Sequence, residues 1–229
     1  MEVTDLHGWR LSPAAAIGLQ KSLAVRVSKK WQKRAVRFVA GTDISVERDG
    51  RARAAVVVLN YPGLETVEVS AVEGRLDFPY IPGLLSFREI PLLLAAFRKL
   101  ATVPDMVLVD GQGLAHPRRF GIACHLGLFL GIPAIGCAKS RLVGSHAEPG
   151  QNPGEYALLR DNGEVIGAAL RTRAGTKPVY VSIGHRISLN MSIKWVMRCL
   201  GGYRLPEPAR LAHQAAGGNL RLIKSVCTR

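Results

Sequence analysis

Cysteine is scarce in this 229-residue chain. Cys124, Cys137, Cys199 and Cys227 are too scattered for paired CxxC zinc knuckles or for a disulfide framework, and they read as small buried hydrophobes of a reducing compartment. Uncharged apolar runs are short as well. None reaches the ~18 residues that a membrane span needs. The opening residues Met1, Glu2, Val3, Thr4 and Asp5 lack the basic and apolar regions of a secretory signal, so the expected location is cytoplasmic. Acids are outnumbered: 17 Asp and Glu against 31 Lys and Arg leave a net charge of +14. Such a surplus on one compact body points to a polyanionic partner, and nucleic acid is the first expectation. At 48% hydrophobic residues the chain is not disordered, and it can bury roughly 70% of its unfolded surface as a single domain.

What the chain does contain is ordered along its length. No acid falls between Asp5 and Asp43, where Arg10, Lys21, Arg26, Lys29, Lys30, Lys33, Arg34 and Arg37 all lie. Ser12 before Pro13 marks a helix start, because the serine oxygen can cap free amides and proline suits the first turn. Residues 1–35 are therefore a basic helical arm whose cations are either a solvated face or phosphate contacts. Period-two patterning then gives three strands: Val36 to Ile44, Ala55 to Leu59, and Val67 to Val72. The turn residues Asp49-Gly50 and Asn60 to Gly63 predict an antiparallel meander. Ser86 with Glu89 has capping-box spacing before a helix through Leu92, Phe97 and Leu100. Met106 to Val109 reads as a strand buried on both faces. A helix follows over Phe120 to Leu130, then a strand over Ala134 to Ala138. Val165 to Thr172 and Val179 to Gly184 read as a further strand pair, with closing helices over Ile187 to Leu200 and Pro208 to Ala216. This order predicts an α/β, ribonuclease H-like mixed sheet flanked by helices, with a core over 36–215.

Three carboxylates stand where burial is costly: Asp43 in an apolar strand, Glu89 at a helix start and Asp110 at the end of a buried strand. Hard oxygen donors suit Mg²⁺ or Mn²⁺, and metal-assisted phosphodiester hydrolysis is the direct chemistry for a basic protein with an acidic centre. Taken singly, Glu89 reads as a cap and Asp110 as a turn residue; the three together, on this element order, read as a metal site. No P-loop, dinucleotide fingerprint or G-x-S-x-G elbow is present. Phe78 to Gly83 is a stiff loop, with Pro79 and Pro82 enclosing Tyr80 and Ile81; its tip is either a wedge between bases or core packing. Lys139, Arg118 and Arg119 are candidate phosphate contacts. His213 reads as a ligand, a proton carrier or a surface histidine.

The stretches FPYIPGLLSFRE (78–89), VDGQGLAHPRR (109–119), GCAKSRL (136–142), VYVSIGHRIS (179–188) and GYRLPEPARLAH (202–213) closely resemble the endonuclease V family of deoxyinosine-specific DNA repair nucleases. The resemblance implies Mg²⁺-dependent cleavage, with Mn²⁺ as a substitute, of the second phosphodiester bond 3′ to deoxyinosine, leaving 3′-hydroxyl and 5′-phosphate ends, by a monomer acting on DNA. It further implies metal binding by Asp43, Glu89 and Asp110, catalytic roles for Lys139 and His213, a wedge of Pro79, Tyr80, Ile81 and Pro82, and a base pocket at Gly83, Leu85, Gly111 and His116. Thr42 departs from the hydrophobic residue that family members often carry before the first aspartate. Two other readings remain: an endoribonuclease acting on inosine in RNA, and a binding protein without catalysis. Three buried acids beside phosphate argue against the second, since they would repel it without a metal.

Overall fold

The computed structural model describes residues 1–219; Cys227 and the rest of the tail lie outside them. Eight strands form one mixed sheet in the order β3-β2-β1-β4-β5-β8-β7-β6. The antiparallel meander is as the turn residues predict: β1 (Phe38–Val46), β2 (Arg51–Asn60) and β3 (Thr66–Arg75) pair in sequence. Gly50, at φ 83°, closes the first turn, and the Asn60 side chain accepts from the Glu65 amide in the second. β4 (Met106–Val109) and β5 (Ala134–Ala138) then extend the sheet parallel to β1. They are short and wholly buried, as expected for strands covered on both faces. β6 (Tyr156–Asp161), β7 (Glu164–Leu170) and β8 (Val179–His185) complete it antiparallel.

Helices cover both faces. α2 (Leu85–Arg98) and α3 (Ile122–Leu130) bury Ile90, Leu94, Phe97, Leu126 and Phe129 against Ala40, Val56, Val58, Val107 and Val109. On the opposite face α4 (Leu189–Arg198) packs Ile193, Trp195 and Val196 on Val39, Leu108 and Cys137. α5 (Glu207–Ala216) packs Ala212 and Ala215 on Ala55, Val57 and Leu59. Cys124, Cys137 and Cys199 are free and buried. The Ser12 hydroxyl caps α1 (Pro13–Ala24) by accepting from the Ala15 amide. This helix is more than a charged appendage: Ala16, Leu23 and the following Val27 enter two apolar clusters with Leu84, Phe87, Phe120 and Leu128. No helix among the described residues is long and apolar enough to cross a membrane.

Two sequence expectations need correction. Ser86 does not open a capping box. α2 begins at Leu85, no side chain caps it, and the Ser86 hydroxyl is buried 3.0 Å from His125 Nδ1. A buried imidazole partner outcompetes the helix end for that hydroxyl. The strand pair 165–172 and 179–184 is also part of a three-stranded meander, because β6 precedes it. Only Leu159 of β6 is buried, and its apolar stretch, Tyr156 to Leu159, is too short to show a period.

Candidate active site

The central strands bring the charged residues together by register. Thr42 pairs with Val109, and Val109 with Gly136. Val39, Leu108 and Cys137 all face the α4 layer. Side chains alternate along strands, so Asp43, Asp110 and Lys139 come to that same side at the carboxyl end of β4 and β5. Lys139 Nζ lies 2.6 Å from Asp110 Oδ2. On the far side, His213 of α5 donates from Nδ1 to Asp43 Oδ2 at 2.5 Å. Ligand atoms of Asp43, Asp110 and His213 fall within 4.8 Å of one another. α5 comes this close because Gly41 has no side chain: a Cβ there would sit 1.9 Å from the Pro208 carbonyl oxygen.

Glu89 enters from α2, in the opposite layer, and is not part of that tightest group. It is nonetheless within the field of both aspartates. Burial first, then the charges of Asp43 and Asp110, push its carboxyl up to about 8. Asp43 is raised by burial and by Asp110, against the opposing pull of His213 and Lys139. Lying inside the helix and not at its start, Glu89 has no capping role. Buried carboxylates this close together form an oxygen donor set short of positive charge, and a divalent hard cation fits that deficit.

Beside this cluster lies a cavity of ≈ 140 Å³ lined by Tyr80, Gly83, Leu85, His116, Ile122 and Leu142 among others. Its lining includes near neighbours in sequence of the charged residues, Gln112 among them, two positions from Asp110. Ser86 precedes Glu89 by nearly one turn of α2, and Leu142 follows Lys139 by three residues. Ile81 and Pro82 also line it, whereas Pro79 faces a separate cavity with Trp9 and Arg88. Gly111 stands behind the Ile122 wall, where a Cβ would meet Ile122 Cγ2 at 2.5 Å. Tyr80 is 70% exposed, so it does not pack in the core. His116 is buried, and desolvation followed by the charge of Arg118 lowers its pKa to about 4. Arg118 turns inward to the Gly83 carbonyl, and Arg119 pairs with Asp161 and Glu164. Sequence reasoning missed Arg204, whose guanidinium donates to the carbonyls of Lys139, Lys177 and Pro178 and anchors the lysine's loop. It also missed Gln20, which lines the cavity from α1 and gave no signal among the cations around it.

A ribonuclease H-like sheet with carboxylates, a lysine and a histidine gathered at the adjoining ends of its parallel strands defines a nuclease, a hydrolase of phosphodiester bonds. More narrowly, the chain belongs to the Endonuclease V family, whose model matches residues 20–214. It is 53% identical to Endonuclease V of Dehalococcoides mccartyi (strain CBDB1) over 217 residues, covering 94% of this chain and 97% of that protein. The crystal structure of Endonuclease V from Bacillus subtilis superposes with a TM-score of 0.91 at 33% identity, covering 98% of this chain and 99% of the other. Endonuclease V of Ciona intestinalis, in complex with a 24mer DNA containing an inosine followed by a ribo-adenosine, superposes at 0.78 with 26% identity over 92% and 98% of the two chains.

Proposed function

We propose that the chain is a divalent-cation-dependent DNA repair endonuclease that cuts the second phosphodiester bond 3′ to deoxyinosine, leaving 3′-hydroxyl and 5′-phosphate ends. One observation carries this reading: an apolar cavity, flanked by an exposed tyrosine on a proline-stiffened loop, opens beside the carboxylate cluster. The inosine-containing DNA held by the Ciona relative supports it. Tyr80 fills the stack that an extruded base leaves, and the cavity takes the base. Hypoxanthine lacks guanine's exocyclic amine, so a tight wall accepts the one and rejects the other. Asp43, Asp110 and Glu89 hold the cation, Mg²⁺ or Mn²⁺ by donor type, which when bound polarises the phosphate and lowers the pKa of water. Lys139 offsets phosphate charge. His213, with Nδ1–H given to Asp43, keeps Nε2 free to take or deliver a proton. The cations of the 1–35 arm extend the phosphate contact, and the free Cys124, Cys137 and Cys199 suit work in a reducing cytoplasm.

A second reading, cleavage at inosine in RNA, is favoured by the ribo-adenosine in the Ciona complex. Matched strands carrying deoxyinosine, inosine in RNA or no lesion, incubated with Mg²⁺ and with EDTA, test both. The expected product is a single cut one nucleotide beyond the lesion's 3′ neighbouring bond in DNA, abolished by EDTA and by Asp43→Asn or Asp110→Asn. Cutting that ignores the lesion or persists in EDTA would falsify the proposal.

A further inference from the structure

Gln20 lies in α1, outside the charged cluster, and is 1% exposed. Its side-chain amide is fully engaged. Nε2 donates to the Gly83 carbonyl at 2.9 Å and to the Phe120 carbonyl at 3.0 Å, and Oε1 accepts from Arg118 Nε at 2.5 Å. Gly83 and Phe120 stand on two different walls of the cavity, one in the proline-stiffened loop and one in the turn before α3. A single planar group therefore spans both walls.

The network around it is closed. Arg118 Nη2 donates to the same Gly83 carbonyl at 2.7 Å. The Arg118 amide donates to His116 Nδ1 at 3.1 Å, which leaves Nε2 as the protonated nitrogen facing Gly83 O at 3.1 Å. Three donors, from Gln20, His116 and Arg118, therefore meet at the one Gly83 carbonyl and fix it in place. Gly83 holds this pose at φ 80°, with Arg118 Nη2 2.7 Å from where a Cβ would be. Docking of α1 does not require the amide, because Ala16, Leu23 and Val27 already supply the apolar contact. A buried polar group costs stability unless every atom is satisfied, and here its partners are the cavity walls themselves.

We infer that Gln20 is a positioning residue that fixes the width of the base cavity, and through it the discrimination between a purine without a 2-amino group and one that carries it. The inference rests on the cavity's assignment as the base pocket. Two substitutions remove the clamp in different ways. Gln20→Met keeps the volume but takes away the amide; Gln20→Glu keeps the shape and the Arg118 contact but has no hydrogens for the two carbonyls. Steady-state cleavage of deoxyinosine and deoxyguanosine strands, with melting temperatures alongside, reads the result. In both variants the ratio of kcat/KM for deoxyinosine over deoxyguanosine is expected to fall about tenfold, the size of effect that a mis-set pocket wall gives, with the loss carried mainly by KM. Folded variants with the wild-type ratio overturn the inference. So does a collapse of folding in both, which would assign Gln20 to docking α1 alone. A wild-type enzyme with no preference for deoxyinosine would instead overturn the pocket's assignment.

Discussion

Burial sets the ionisation of individual side chains in two opposing senses. The imidazoles of His116 and His185 are lowered to about 4, mainly by desolvation, and burial likewise lowers His125 well below its usual value. An unfolded chain binds protons at these groups from about 6.5 downward while the folded one does not, so their contribution is present above that pH and is lost as pH falls toward 4. Glu89 runs the other way. Its folded value of about 8 against 4.5 for the free group means a contribution present below pH 4.5 and lost as pH rises through 8. Urea midpoints in EDTA should therefore decline on both sides, and Glu89→Gln should flatten the alkaline decline; an unchanged alkaline limb in the variant would refute the assignment. Tyr80 makes a different residue-scale test. Because its ring is exposed, Tyr80→Ala should leave the melting temperature unaltered and weaken binding to paired inosine strands by about 1–3 kcal/mol, as for other base-stacking aromatics. Equal losses on lesion-free strands would refute the proposed wedge. Asp43, Glu89 and Asp110 were visible in the sequence because acids in apolar surroundings need a reason. His213 was not decidable, since its partner Asp43 is 170 positions away and no local spacing encodes that contact.

At the scale of elements, α5 and β1 are locked by a missing side chain. Gly41→Ala would drive a methyl into the Pro208 carbonyl, so α5 must lift and carry His213 off Asp43. The expected cost is about 1–3 kcal/mol of stability, as for other overpacked contacts, together with a fall in turnover; a variant with wild-type kcat and melting temperature would show that α5 need not sit so close. The strands and helices of the core were legible because each has a clear period or a complete apolar run. β6 was not, since four of its six residues combine polar side chains or exposure on a sheet edge. Yet Asn162-Gly163, with φ 50° and 78°, is the pair that a type I′ hairpin favours, and that turn was the readable trace of β6. Ser86 misled for a related reason: a capping signature is local, whereas the hydroxyl's actual partner, His125, comes from α3.

For the whole molecule, the charge of +14 sets an electrostatic prediction. Among the described residues no ion pair engages Arg10, Lys21, Arg26, Lys30 or Lys33, while Lys29 forms an exposed pair with Glu164 that adds little and Arg34 pairs with the half-buried Asp105. If about six phosphates are contacted, affinity for DNA should drop about a thousandfold between roughly 50 and 200 mM salt; titrations giving the same Kd at both would refute a phosphate-tracking surface. The parallel register that sets Thr42 against Val109 has a further consequence, for the order in which competence is acquired. Residues 43, 89, 110, 139 and 213 meet only after the non-local pairing of β1 with β4 and β5 and the seating of α5, and such long-range closures come late in folding. If these residues form the proposed active site, the capacity to cut is not gained in increments. Cleavage regained after dilution from denaturant should lag the return of helical signal and coincide with final tertiary packing, which makes catalysis itself a reporter that the last distant segments of the chain have found each other.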